Sequence, residues 1–190
     1  MKEKITVLFG SPRKNGFTKQ AVDLLLAQID QSHYDVSILD GFHSQVFPCI
    51  DCRACLKGLC PFNQRDKMGG ILDELASSDI VLLASPIYFA GYPAPLKAII
   101  DRSQQFFLNR AGNRTKVFPK RAKGYLLLTS GASSKEVNDA AELAGKMFFC
   151  CINADFQESL IIENTDQMDK LSVSLDRLTT HFVHPLPSHQ

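Results

Sequence analysis

Ile5-Thr6-Val7-Leu8-Phe9-Gly10-Ser11-Pro12-Arg13-Lys14-Asn15-Gly16-Phe17-Thr18 is the stretch on which the fold turns. An apolar run stops at Gly-Ser-Pro. A segment of helical period follows from Thr18 to Ile29, with Ala21, Val22, Leu25, Leu26 and Ile29 on one face. Strand, tight turn and helix in that order open a βαβ unit. The pattern then repeats. Tyr34 to Leu39 reads as the second strand. A helix from Asp66 to Ala76 leads into Ile80-Val81-Leu82-Leu83-Ala84, the continuous apolar run expected of a parallel strand covered on both faces. A helix from Pro93 to Phe107, a strand from Tyr125 to Leu128 and a helix from Lys135 to Phe149 come next. A fifth strand is expected within Ile152 to Ile162 and a last helix from Asp166 to Phe182. Five strands alternating with five helices predict right-handed βαβ units in a three-layer α/β sandwich. One domain over residues 1–183 is expected, with a frayed tail at 184–190.

The chain has 190 residues, 45% of them apolar and 22% charged, with 21 basic against 20 acidic side chains. A chain of this length buries about 70% of its unfolded surface, so it needs no disulfide or metal staple to fold. The near-zero net charge excludes a broadly basic nucleic-acid binder and an acidic disordered tail. No apolar run approaches the roughly 20 residues that cross a bilayer, and Met1 to Phe9 leaves no room for a signal-peptide core. A cytoplasmic protein with neither nucleic-acid nor membrane partners is expected.

In open α/β sheets, ligands bind at the carboxyl ends of the strands where the strand order reverses. That directs attention to the segments beginning at Gly10, Ser85 and Thr129. Gly10 and Gly16 permit tight turns, and the following helix start offers unpaired N–H groups at the positive end of its dipole. Ser11 and Thr18 add hydroxyl donors, and Arg13 adds a guanidinium. Together these suit a phosphate monoester, or else an ordinary strand-to-helix turn with Thr18 near the cap. Neither G-x-G-x-x-G nor G-x-x-x-x-G-K-[ST] is present.

Gly10-Ser11-Pro12-Arg13-Lys14-Asn15-Gly16 resembles the phosphate loop of the NADPH-dependent FMN reductase family. Ser85-Pro86-Ile87-Tyr88-Phe89, with Pro95-Leu96-Lys97 and Ile100-Asp101-Arg102, resembles that family's flavin-ring loop and following helix. The likeness implies a flavodoxin-like parallel sheet ordered 2-1-3-4-5. It also implies FMN as cofactor, with NAD(P)H as co-substrate. Ser11, Arg13, Asn15, Gly16, Phe17 and Thr18 would hold the phosphate, with Phe17 contributing only its N–H where the family often has a small polar residue. Backbone N–H groups near Ile87, Tyr88 and Phe89 would meet the ring's N1, O2 or N5, beside Pro86. A donor at N1/O2 stabilises the charge that develops on reduction. Tyr88, Phe89 and Tyr92 are candidates for the ring's wall, and Ser130-Gly131-Ala132 would close the far side. Hydride transfer needs positioning rather than a protein nucleophile, and His33, His43, His181, His184 and His189 read as surface residues. The likeness further implies a homodimer or homotetramer and a flavin, quinone or other small molecule as acceptor.

Four of six cysteines, Cys49, Cys52, Cys55 and Cys60, fall within twelve residues. The run is close to C-x₂-C-x₂-C-x₃-C-P, with one residue more before the last cysteine. It is similar to the compact motif of iron–sulfur flavoproteins, which implies a [4Fe–4S] cluster and electron transfer. The same loop in FMN reductase relatives carries cysteines as free or disulfide-forming thiols, and zinc is a third alternative. The chain is therefore expected to be an FMN-dependent NAD(P)H oxidoreductase, an iron–sulfur electron-transfer flavoprotein, or a non-enzymatic FMN-binding redox sensor. Cys150 and Cys151, after Met147-Phe148-Phe149, read as buried structural thiols. Arg110 to Lys123 holds six basic residues and no acid, suiting either NADPH phosphates, an acidic protein partner or a solvated connection.

Overall fold

The computed structural model describes residues 2–30, 32–107, 110–171 and 174–183; the tail at 184–190 lies outside them. Strands β1 (Glu3–Phe9), β2 (Tyr34–Asp40), β3 (Ile80–Pro86), β4 (Ala122–Thr129) and β5 (Ala154–Ile162) form one parallel sheet in the order 2-1-3-4-5. Helices α1 (Phe17–Ala27), α2 (Met68–Ala76), α3 (Ala94–Arg102), α4 (Gln104–Phe107), α5 (Thr115–Val117), α6 (Lys135–Cys151) and α7 (Asp176–Val183) connect and cover it.

The alternation of strand side chains builds two cores. Ile5, Val7, Ile80, Leu82, Tyr125 and Leu127 face α1 and α7, meeting Val22, Leu25, Leu178 and Phe182. Leu8, Val81, Leu83, Leu126 and Leu128 face α2, α3 and α6, meeting Leu72, Leu96, Ile99, Phe148 and Phe149. Both faces of the sheet are therefore buried, which is why β3 and β4 read as unbroken apolar runs. β1 has β2 on one side and β3 on the other, so the chain leaves the ends of β1 and β3 in opposite directions, and a cleft opens there.

Three expectations are corrected. The helix expected from Pro93 to Phe107 is broken after Arg102. Buried Ser103 donates its hydroxyl back to the Ile99 carbonyl at 3.1 Å, the back-bonding that bends helices, and α4 restarts beyond it. The helix expected from Asp166 to Phe182 is present only from Asp176. Asn164 turns left-handed (φ 58°), and a single 3₁₀ turn at Thr165–Gln167 bonds back to Ser130 and Gly131 instead of continuing into a helix. Cys150 is exposed, not a core thiol, because α6 spends its inward positions on Phe148 and Phe149 and the next residue turns outward; Cys151 is half-buried and packs against the core.

Candidate functional site

β1 ends at Phe9, yet the Gly10 N–H still bonds the Ala84 carbonyl at 2.8 Å, holding the loop against β3. A side chain at Gly10 would collide with Leu96 of α3. Ser11 Oγ accepts the Arg13 N–H at 3.2 Å, and the Gly16 N–H closes a turn on the Arg13 carbonyl at 3.3 Å. α1 then starts with extended Gly16 at its cap (φ −75°, ψ 170°), no side chain capping it and no acid in its first turn. Most helices satisfy their first N–H groups with a Ser, Thr, Asp or Asn cap. Here those donors and the positive end of the dipole face the cleft. Thr18, buried, hydrogen-bonds Thr129 hydroxyl to hydroxyl at 2.7 Å, locking the helix start to the end of β4.

The other wall is the turn after β3. The Ile87 N–H donates to the Thr129 carbonyl at 2.8 Å, while Tyr88 and Gly91 exchange two backbone bonds of 3.0 Å. Between them Phe89 (φ 49°) and Ala90 (φ 58°) are both left-handed. This is the φ signature of a type I′ turn, which favours Asn and Gly, so Phe and Ala there store strain. The Phe89 ring is fully exposed, at 108% of its reference area. Among the described residues no acceptor meets the Phe89 N–H, whereas those of Ile87 and Tyr88 are already used within the chain.

These walls enclose a cleft of about 440 Å³ lined by Ser11, Arg13, Gly16, Phe17, Thr18, Pro86, Ile87, Tyr88, Phe89, Thr129, Gly131, Thr165 and Asp166. Ten of the twelve residues expected for the cofactor are there. Asn15 is not: it is exposed, and its carbonyl accepts from Gln20. Ser130 is buried behind the wall, its hydroxyl donating to the Ala132 carbonyl at 2.7 Å. Tyr92 belongs to the core and donates to the Ala141 carbonyl at 2.8 Å, with burial holding its phenol protonated well beyond the usual range. Thr165 and Asp166 were missed. They come from the end of β5, which the strand-end rule could have flagged. Asp166 explains Gly131, because a Cβ at 131 would strike its carboxylate.

None of the described histidines lines the cleft; His33 and His43 bond Asp30 and Asp40 on the surface, and His181 packs on Tyr125. The basic stretch lies elsewhere too. Lys120 pairs with Asp79, Arg121 pairs with Asp155, and Arg114 and Arg121 line a hollow at the starts of β4 and β5, the opposite end of a parallel sheet from the cleft.

The cysteine loop is held firmly. Cys49, Cys52, Cys55 and Cys60 line one small cavity together with Arg102, Gln104 and Gln105. Asp51 and Arg53 on either side of Cys52 are left-handed (φ 48° and 56°). Buried Gln105 accepts the Cys60 N–H at 3.0 Å, and buried Asn113 donates to the carbonyls of Cys55 (3.2 Å) and Gly58 (2.8 Å). Burial pushes the Cys55 thiol up, and the nearby thiolates of Cys60, Cys49 and Cys52 add to the rise. Among the described residues no three of these ligands converge on a position for a single metal ion.

Fold and cleft define a flavodoxin-like protein whose cleft opens between the loops at the strand ends. The chain belongs to the NADPH-dependent FMN reductase family, whose description matches residues 3–150. It is 40% identical over 102 residues to an iron-sulfur flavoprotein of Clostridioides difficile, covering 52% of this chain and 45% of that one. An iron-sulfur flavoprotein of Archaeoglobus fulgidus is 35% identical over 100 residues, covering 52% and 44%. The chain thus spans about half the length of the curated relatives it matches. An NAD(P)H:quinone oxidoreductase from Methanothermobacter marburgensis shares the fold, with a TM-score of 0.66 at 13% identity over 86% of this chain and 85% of that one. Among the described residues no helix is long and apolar enough to cross a membrane.

Proposed function

We propose that this chain is an FMN-dependent NAD(P)H oxidoreductase passing electrons to a flavin, quinone or other small acceptor. The observation that carries this is the uncapped, acid-free start of α1 opening into the same cleft as the Pro86–Phe89 turn. The residues fit the cofactor: donors without a capping side chain at one end, and apolar and aromatic surface at the other. Bound there, FMN supplies a two-electron carrier that accepts hydride from NAD(P)H. The chain does the rest. The N–H groups at Phe17 and Thr18, with Ser11 and Arg13, hold the phosphate. Pro86, Ile87 and Tyr88 present a flat wall, and the Phe89 N–H is left to meet a polar edge of the ring. Thr129, Gly131 and Asp166 close the opposite side. Positioning of the nicotinamide over the exposed ring face, with water excluded, is then the main catalytic contribution.

Arg13 is exposed at the cleft, and among the described residues it has no carboxylate partner, so its guanidinium is available to a phosphate. Arg13→Ala is expected to weaken FMN binding by about 1 kcal/mol or more in a fluorescence titration, from loss of one charge-assisted bond. Anaerobic mixing of the FMN-loaded protein with NADPH or NADH tests the activity itself. Bleaching of the flavin band and its return on adding a quinone support it; a flavin that stays oxidised overturns it.

A second arrangement is favoured by the shared cavity of the four cysteines: an iron–sulfur core beside the flavin, as the names of the two curated relatives describe for those proteins. The residue types fit such a core, because four closely spaced thiolates on one cavity are the usual ligand set of an iron–sulfur cluster. Exposed Phe47, Ile50, Leu56 and Leu59 around this loop, with Phe89, offer apolar surface for a homodimer or homotetramer. A cytoplasmic location fits this chemistry.

A further inference from the structure

Arg102 sits at the end of α3 and is 3% exposed. Its terminal nitrogens are used: Nη1 donates to Asp66 at 2.7 Å and to the Phe47 carbonyl at 3.1 Å, and Nη2 donates to Asn63 at 2.9 Å. Its Nε–H is not. That nitrogen is buried and, among the described residues, has no hydrogen-bond partner. A buried unpaired donor costs about 1–3 kcal/mol, more on a charged group, so such an atom calls for an explanation. Arg102 also lines the cavity of the four cysteines. A four-thiolate iron–sulfur core carries net negative charge, and its sulfurs accept hydrogen bonds that help set its potential.

We propose that Arg102 is the fixed positive partner of that core, its Nε–H donating to a cysteinyl or inorganic sulfur while its other nitrogens anchor the loop to Asp66 and Asn63. Arg102 is thus a positioning and potential-tuning residue at the cysteine site, separate from the flavin cleft. The geometry explains why an arginine is used. Only a guanidinium can bond a carboxylate and an amide through its outer nitrogens and still present a third N–H sideways. This inference rests on the iron–sulfur arrangement proposed above.

Arg102→Lys keeps a cation for Asp66 and removes the Nε–H. The companion variant, Asp66→Asn with Arg102→Met, removes both charges, which buried pairs often tolerate when replaced together. Each FMN-loaded protein is reconstituted anaerobically with iron and sulfide, assayed for iron uptake, and titrated to its midpoint potential. Equal iron uptake with the core's potential shifted lower in the variants is expected, because the reduced, more negative core loses its donor. A merely structural role would reduce iron uptake without that shift. Unchanged potential in folded variants overturns the role of Arg102 alone. Wild-type protein that takes up neither iron nor sulfide overturns both this role and the iron–sulfur arrangement. FMN binding and NAD(P)H oxidation report separately on the cleft.

Discussion

Asp66→Ala is expected to destabilise the fold by about 3–5 kcal/mol, read as a lower urea midpoint with an unchanged slope. Asp66 does three jobs with one carboxylate. Oδ2 accepts the Phe47 N–H at 3.0 Å and pairs with Arg102 at 2.7 Å, and Oδ1 accepts the Met68 N–H at 2.9 Å at the start of α2. The pair is almost fully buried, with side chains 3% and 1% exposed, so little solvent screening weakens it. Removing the acid leaves a buried guanidinium uncompensated, and the hydrogen bond to the Met68 N–H at the start of α2 is lost as well. Against a typical stability of about 5–15 kcal/mol, the loss would bring many domains near unfolding. Asp66→Asn removes the same charge and has a single carbonyl oxygen, enough for either the Met68 or the Phe47 N–H, so it is expected to lose nearly as much. A much smaller loss for Asn than for Ala would contradict the view that the buried charge dominates.

Phe17→Asp is expected to weaken FMN binding at least 100-fold while leaving the apo fold close to its original stability. Phe17 is the first residue of α1, half-buried and on the cleft wall. An acid in the first turn favours the helix by about 0.3–1 kcal/mol, which offsets part of the lost apolar contact. The same charge placed against a phosphate costs binding instead. Two unit charges about 4 Å apart at an effective dielectric near 20 repel by about 4 kcal/mol, and a phosphate monoester carries more than one charge. A hundredfold loss is about 2.7 kcal/mol, within that range. Opposite signs for stability and binding separate a phosphate site from a plain strand-to-helix turn, where the substitution would leave FMN affinity unchanged.

Much of the fold was legible because β1, β3 and β4 are short apolar runs punctuated by Gly, Ser and Pro, and because period-two burial on both faces leaves no polar alternation to confuse them. The breaks at Ser103 and Asn164 were not legible. One depends on a hydroxyl turning back onto its own helix, and the other on bonds from Thr165 and Asp166 to a loop more than thirty residues earlier. The cleft was legible where a local motif carries it, as at Ser11 to Thr18. Asp166 was not, since its place depends on how the end of β5 folds over Gly131. Ile87 and Tyr88 line the cleft, but sequence could not show that their N–H groups are already used within the chain, while among the described residues that of Phe89 meets no acceptor. Arg102 was legible only as part of a family-like helix, and nothing local ties it to Asp66. Only the tertiary structure joins them under the cysteine loop.

The central claim, that the start of α1 holds the phosphate of a bound flavin, is tested most directly by titrating the cofactor-free protein calorimetrically with FMN and with riboflavin. Riboflavin lacks only the phosphate. The phosphate anchored at Gly16 to Thr18 predicts that FMN binds with one site per chain and at least 100-fold more tightly. Equal affinities, or no binding of FMN, would contradict it.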